Sequence, residues 1–219
     1  MAEKVRCVII CASPEADINF IKDFVKSGDY IMCADNGYNT ALKAGVNPDL
    51  YVGDFDSFSG ELSEEIDVVK LNTHKDDSDS MHCASLAVEK GFKEVALVAA
   101  DGGRLDHTLA NFYVLKFLYE NNVTAYLENE KERVQFLGAG EYTYSKVKGK
   151  TFSLFPFACE ECRVSYEGKV EYPAKDLKLV SSEVKGLSDI FLDDNVKVHI
   201  HSGNALIVIN KVSFSNIFD

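Results

Sequence analysis

The stretch Glu94-Val95-Ala96-Leu97-Val98-Ala99-Ala100-Asp101-Gly102-Gly103-Arg104-Leu105-Asp106-His107 decides the fold. Its first half is an apolar run of strand length, and two glycines then turn the chain into a segment with helical periodicity. The residues Leu105, Leu109, Phe112, Leu115 and Tyr119 are spaced by four, three, three and four, so they share one side of a helix and predict its core face. A strand that runs straight into a helix is the repeat from which layered α/β domains with mostly parallel sheets are built.

Upstream, the strand signal recurs at Val5–Cys11, Tyr30–Ala34, Leu50–Val52 and Val68–Leu71, and each run meets polar or glycine-containing sequence at its C-terminal end. Ligands of open α/β sheets gather at those ends. A further helix precedes Glu94, with Asp77 or Ser78 as N-cap, Met81, Ala84, Ser85 and Val88 as its apolar face, and Gly91 closing it. After about Tyr144 the texture changes to short strands at Thr151–Phe157, Arg163–Tyr166, Val196–His201 and Ala205–Ile209, the last two joined as a hairpin around Ser202-Gly203-Asn204. Val196, Val198 and Ile200 alternate with Lys197, His199 and His201, which turns the histidines toward solvent or a partner. The expected organisation is an α/β domain over 1–143 and an all-β domain over 144–219.

Charge narrows the partners. With 35 acidic against 23 basic residues among 219, the net charge of -12 disfavours nucleic acid and anionic membranes. A nucleotide delivered as a magnesium complex is compatible, because the ion neutralises phosphate and itself seeks carboxylates. The N-terminal apolar run is interrupted by Arg6 and followed by Pro14, too short to span a bilayer and unlike a signal peptide, so a cytoplasmic protein is expected. Six cysteines lie mostly in apolar segments and read as buried thiols; Cys159 and Cys162 form a C-x-x-C with no second pair to complete a zinc site.

The chemistry-bearing residues cluster at the strand ends. Gly53-Asp54-Phe55-Asp56-Ser57 follows a strand, and carboxylates at i and i+2 of extended chain share a face that can hold a hard cation, with Phe55 turned to the core. Lys75-Asp76-Asp77-Ser78-Asp79 puts a second acidic cluster where a helix begins, more acid than capping alone requires. If the clusters converge, Asp54, Asp56, Asp76 and Asp79 can bind Mg²⁺ that bridges phosphate oxygens. In the Asp101–His107 turn, Gly102 and Gly103 let backbone N–H groups approach a phosphate, Arg104 can fork onto its oxygens, and Asp106 and His107 can orient a sugar or hydroxyl nucleophile. Asn36, in Ala34-Asp35-Asn36-Gly37-Tyr38, adds a polar contact at another strand end. Each motif also has a local reading, as a capped turn.

Taken in order, A-D-N-G-Y, P-D-L-Y-V-G-D-F-D-S, K-D-D-S-D and D-G-G-R-L-D-H-T-L-A-N resemble the thiamine pyrophosphokinase (thiamine diphosphokinase) family, and F-S-L-F-P-F and K-G-L-S-D resemble its C-terminal domain. The resemblance implies an N-terminal α/β catalytic domain and a C-terminal thiamine-binding β-sandwich, in a homodimer whose thiamine sites lie between subunits. It implies transfer of diphosphate from ATP to thiamine, with AMP as the other product and Mg²⁺ as the metal. By position, Asp54, Asp56, Asp76 and Asp79 would serve metal and phosphates. Asn36, Arg104, Asp106 and His107 would surround the nucleotide and the reacting group, and Ser188 would lie near thiamine. The chain departs from the family in Cys11-Ala12-Ser13-Pro14, where a glycine-richer loop is common, and in Ser188-Asp189, which sets a negative charge beside the expected thiamine site. It has no tryptophan, so Phe191 or a tyrosine would have to supply an aromatic platform. The rival readings are a Mg-dependent phosphohydrolase using the Asp54/Asp56 pair as nucleophile and acid, with Asp54 forming an aspartyl-phosphate, and a non-catalytic nucleotide or thiamine sensor.

Overall fold

The computed structural model describes residues 6–54, 66–71 and 77–213. The chain divides into two compact units, Met1–Glu130 and Lys131–Asp219.

The first unit runs β1 (Arg6–Ile10), α1 (Ile18–Phe24), β2 (Tyr30–Ala34), α2 (Gly37–Lys43), β3 (Leu50–Gly53), β4 (Asp67–Lys70), α3 (Asp79–Glu89), β5 (Glu94–Val98), α4 (Leu105–Glu120) and β6 (Thr124–Glu128). Its strands lie in the order β6-β5-β1-β2-β3-β4, and every pairing among them is parallel. The chain builds outward from β1 through β2, β3 and β4, then crosses back to set β5 on the other edge of β1. That reversal opens a crevice at the C-terminal ends of β1 and β5, where open α/β sheets bind ligands. Burial on both faces explains why Cys7, Val8, Ile9 and Ile10 form an unbroken apolar run, each with no exposed surface.

At the opposite end of the sheet Arg6 is sequestered. Its guanidinium donates to Asp29 at 3.0 and 2.6 Å and to the Tyr126 hydroxyl at 3.2 Å, and it lies 4.7 Å from the Phe24 ring centroid. The hydrogen bond to Asp29 raises the Arg6 pKa above its ordinary value against the cost of burial.

The helices differ from expectation in which face they bury. Helix α3 is capped as expected, the Ser78 hydroxyl accepting from Met81 N–H at 3.3 Å. Its buried residues are Ser80, Cys83, Ala84 and Ala87 rather than Met81, Ser85 and Val88. Small side chains let the helix approach the sheet closely, and larger neighbours flank the contact. Helix α4 buries Asn111, Val114, Leu115 and Leu118; Leu105 and Leu109, expected in the core, are 72% and 46% exposed. Apolar residues surround this helix, so spacing alone did not single out its inner face.

The second unit contains β7 (Glu132–Leu137), β8 (Gly140–Ser145), β9 (Lys150–Pro156), β10 (Glu161–Glu167), β11 (Leu177–Val180), β12 (Asp189–Ile190), β13 (Asn195–Ser202) and β14 (Ala205–Ser213). They form two antiparallel layers, ordered β12-β9-β14-β7 and β11-β10-β13-β8. Residues 131–143, assigned above to the α/β domain, supply β7 and the start of β8; β7 pairs with β14, from Glu132 opposite Asn210 to Leu137 opposite Ala205. The interior joins Leu137, Phe152, Leu154, Val164, Val198 and Ile207. Phe191 is fully buried and stacks on Phe152 at 4.2 Å between centroids, so it is a core residue and cannot be the aromatic platform. His199 and His201 alternate with buried Val196, Val198 and Ile200, and His199 lies 3.4 Å from Glu141 and 3.6 Å from Glu167. The described residues include every cysteine, and all are free thiols. Cys159 accepts from Asn204 N–H at 3.4 Å and donates to the Asn204 carbonyl at 3.2 Å, steadying the β13–β14 turn. Among the described residues no helix is long and apolar enough to cross a membrane.

Asp29→Ala strands the Arg6 guanidinium and is expected to cost about 3 kcal/mol of stability. Urea unfolding should show a lower midpoint with an unchanged slope, and an unchanged midpoint would mean that the pair contributes no net stability.

Candidate active site

The loops leaving β1, β2 and β5 meet over the crevice in strained conformations. Cys11 N–H donates to Val98 O at 2.9 Å and Ser13 N–H to Ala99 O at 3.1 Å, so the β1 loop follows the end of β5. Asp35 and Ala99 have φ of 49° and 51°, left-handed values that side-chain-bearing residues rarely adopt, and Gly102 and Gly103 follow at 84° and 64°. Such strain concentrates where surrounding structure over-determines a functional geometry. Gly37 is dictated by contact: a Cβ there would sit 2.0 Å from the Ile10 carbonyl oxygen. Its absence brings the start of α2 against the end of β1.

Two adjoining hollows result, each of about 410 Å³. Both are bounded by Cys11, Asp35, His107 and Asn111. The first adds Ser78, Asp79, Ser80 and Asp106. The second adds Asn36, Asp101, Gly102, Gly103 and Arg104. Thus most of the residues expected around the nucleotide do converge, on the C-terminal ends of three strands and the starts of α3 and α4.

Of the expected metal ligands, Asp79 lines the first hollow, and Asp54 is half-buried immediately after β3. Asp56, Asp76 and Phe55 lie outside the described residues. Among the described residues no three His, Cys, Asp or Glu side chains form a ready metal cage. The donors present are nevertheless the right kind for Mg²⁺: Asp35, Asp79, Asp101 and Asp106 present hard oxygens to the crevice. An ion that keeps water and shares phosphate oxygens needs only one or two protein carboxylates. The field of these acids is felt at Cys11, whose thiol is pushed up to about 12 by burial, then by Asp79 and Asp101. A thiol held protonated in this way is a poor nucleophile at neutral pH.

The groups expected to bind phosphate are engaged with the protein's own carboxylates. Arg104 grips Asp106 through two hydrogen bonds, 3.1 and 2.7 Å, and Asp106 also accepts from His107 N–H at 3.0 Å. Chiefly through the Arg104 bond, the Asp106 carboxyl falls to about 2. Because the pKa is lowered, the pair persists above the ordinary carboxylate range and is lost as pH falls through about 2. Gly103 N–H, expected to face phosphate, donates to the Glu15 carboxylate at 3.1 Å.

Behind the crevice runs a polar relay that sequence reasoning missed. The Ser80 hydroxyl donates to Asn111 Oδ1 at 2.7 Å, and Asn111 Nδ2 donates to the Ala100 carbonyl at 2.6 Å. With the Ser80 proton so committed, the Ser78 hydroxyl, 3.0 Å away, donates to Ser80. The relay ties α3 and α4 to the end of β5. Asn111 lies four residues after His107, on the same helix face, which is the signal that would have found it.

Ser188 belongs to the second unit, where it is exposed with φ of 60° and donates its N–H to Ser153 Oγ at 3.0 Å. Asp189 is not a surface charge beside it. Its side chain is buried and accepts from the backbone N–H groups of Tyr172 and Ile190 at 3.0 and 2.7 Å, while burial raises its pKa.

A parallel sheet with a carboxylate-lined switch-point crevice, joined in one chain to an antiparallel β-sandwich, defines a two-domain α/β protein. Residues 21–127 match the family described as thiamin pyrophosphokinase, catalytic domain. Thiamine pyrophosphokinase of Bacillus subtilis (strain 168) is 27% identical over 156 residues, 68% of this chain and 73% of that protein. Crystal structures of thiamine pyrophosphokinases share the fold. The Bacillus subtilis structure has a TM-score of 0.82 at 21% identity, covering 94% of this chain and 99% of its own. The yeast structure has 0.75 at 14% identity, covering 96% and 87%. Over residues 21–127 the chain is similar to the catalytic domain of thiamine pyrophosphokinases.

Two substitutions test this geometry. Arg104→Ala should return the Asp106 carboxyl from about 2 toward the ordinary carboxylate value of about 4, read by carbon NMR titration. An unmoved value would break the assigned pair. Asn111→Ala leaves the Ser80 hydroxyl and Ala100 carbonyl without their partner and should cost about 2 kcal/mol in urea unfolding.

Proposed function

We propose that this protein is a thiamine pyrophosphokinase that transfers diphosphate from ATP to the thiamine hydroxyl, giving thiamine diphosphate and AMP, and works in the cytoplasm. The observation that carries the reading is the convergence of Asp35, Asp79, Asp101, Arg104 and Asp106 on the switch-point crevice of a chain with this family match. The first unit, Met1–Glu130, is the catalytic, nucleotide-binding part and the second, Lys131–Asp219, the thiamine-binding part.

The thiamine oxygen attacks the β-phosphorus in line with the departing AMP oxygen, so the hydroxyl proton must leave and charge on the bridging oxygens must be stabilised. Asp106 and His107 stand at the start of α4 as acceptors for that proton. Arg104 exchanges its bidentate grip on Asp106 for phosphate oxygens, freeing the carboxylate as the guanidinium takes up the polyphosphate. Gly102 and Gly103 permit close backbone approach, Asn36 contacts the nucleotide, and Ser188 contacts thiamine. Asp54, Asp56, Asp76 and Asp79 would hold Mg²⁺, which supplies neutralisation of the transferred diphosphate when bound. A hydrolase using the Asp54/Asp56 pair has no role for the Arg104 turn, and a sensor has little need of so many carboxylates.

A homodimer is part of the proposal, with a second copy covering the exposed Leu105 and Leu109 on α4. Sedimentation should give a dimer for the wild type and a monomer for Leu109→Glu.

Incubation with ATP, Mg²⁺ and thiamine should yield AMP and thiamine diphosphate in equal amounts, and neither without thiamine. Phosphate release independent of thiamine would favour the hydrolase instead. Asp54→Asn and Asp76→Asn should each lower kcat by at least about a thousandfold with the melting temperature retained, as expected on loss of a metal ligand.

A further inference from the structure

The Gly102–Gly103 turn combines two consecutive residues with the greatest backbone freedom, both held at positive φ. Nothing intrinsic to glycine selects that conformation over its alternatives, so the turn depends on contacts from outside. Those contacts come from Ser13-Pro14-Glu15, in the loop after β1. Glu15 Oε1 accepts the Gly103 N–H at 3.1 Å across 88 residues of sequence. Ser13 Oγ accepts the Glu15 N–H at 3.2 Å and fixes the approach of that side chain. The fit is close on both glycines. A Cβ on Gly102 would lie 3.0 Å from Glu15 Oε2 and 3.1 Å from Ser13 Oγ, and one on Gly103 would lie 2.8 Å from Pro14 Cγ.

Arg104 is the next residue, and its backbone begins the last extended step before α4. The direction in which the guanidinium leaves the chain is therefore set by the turn that Glu15 holds. We propose that Glu15 is a positioning residue, which acts through the Gly102–Gly103 turn to aim Arg104 at the polyphosphate of the nucleotide. Its negative charge is incidental to this role; its hydrogen-bond acceptor is what matters. The role rests on the proposed function for the identity of the ligand, but the hold on the turn is a property of the free protein.

The experiment compares wild type, Glu15→Ala and Glu15→Gln by two measurements. Amide hydrogen exchange in the free protein should be about fivefold faster at Gly103 in Glu15→Ala, the effect of one lost hydrogen bond, and normal in Glu15→Gln, whose amide oxygen accepts in the same place. Steady-state kinetics should show an approximately fivefold higher KM for Mg-ATP in Glu15→Ala, with kcat and the KM for thiamine within about twofold and recovery in Glu15→Gln. Because Glu15 is exposed, all three proteins should melt together. Unchanged Gly103 exchange in Glu15→Ala overturns the proposal, as does a Glu15→Gln variant no better than Glu15→Ala. If the wild type formed no thiamine diphosphate, the functional reading would fall while the exchange comparison still decided whether Glu15 holds the turn.

Discussion

Strand β1 is hydrogen-bonded on both edges, to β2 from Cys7 to Ile10 and to β5 from Arg6 to Ile10, and the other features of the first unit follow from that double pairing. The register sets Ile10 beside both Cys33 and Val98, so three strands end at one level. The loops leaving them emerge together, and the residues they carry become neighbours although they are widely separated in sequence. The reversal of strand order at β1 leaves space between the loops, which a continuous progression of strands would have closed.

The cost of this convergence is visible in the backbone. Left-handed Asp35 and Ala99, the close contact required at Gly37 and the buried Ser80–Asn111 relay are unfavourable or demanding when taken singly. They persist because the apolar run of β1 and its neighbours anchors both sides of the crevice. Full burial of a residue such as Ile9 contributes about 2–3 kcal/mol, comparable to one strained dihedral.

Electrostatics gives the crevice its character. Asp35, Asp79, Asp101 and Asp106 share it with Arg104 and His107, a balance that would repel a bare polyphosphate and accept one already paired with a divalent cation. The Arg104–Asp106 and Gly103–Glu15 contacts keep the donors of the Asp101–His107 turn satisfied in the free protein. On the proposed function, Arg104 then exchanges Asp106 for phosphate oxygens while the Gly103–Glu15 contact is retained, so the guanidinium does not pass through an unsatisfied state.

Much of the local structure was legible in the residues. The apolar runs identify β1 to β5, Ser78 and Gly91 bound α3, and the glycine turn before Leu105 marks the start of α4, because strand period, capping and positive φ are local properties. The burial of Ser80, Cys83 and Ala87 in place of Met81 and Val88 was not legible, since only the packed sheet reveals how closely α3 must approach. The same limit hid β7 from its domain, because its partner β14 lies some seventy residues further on and pairing at that range leaves no mark on periodicity. Sequence by itself determined which chemical groups are present, which strand or helix end carries each, and the family to which their order points. Only the tertiary structure decided that Phe191 is core, that Asp189 turns inward, and that Asn111 and Glu15 brace the crevice, because each depends on contacts between segments that the chain order keeps apart.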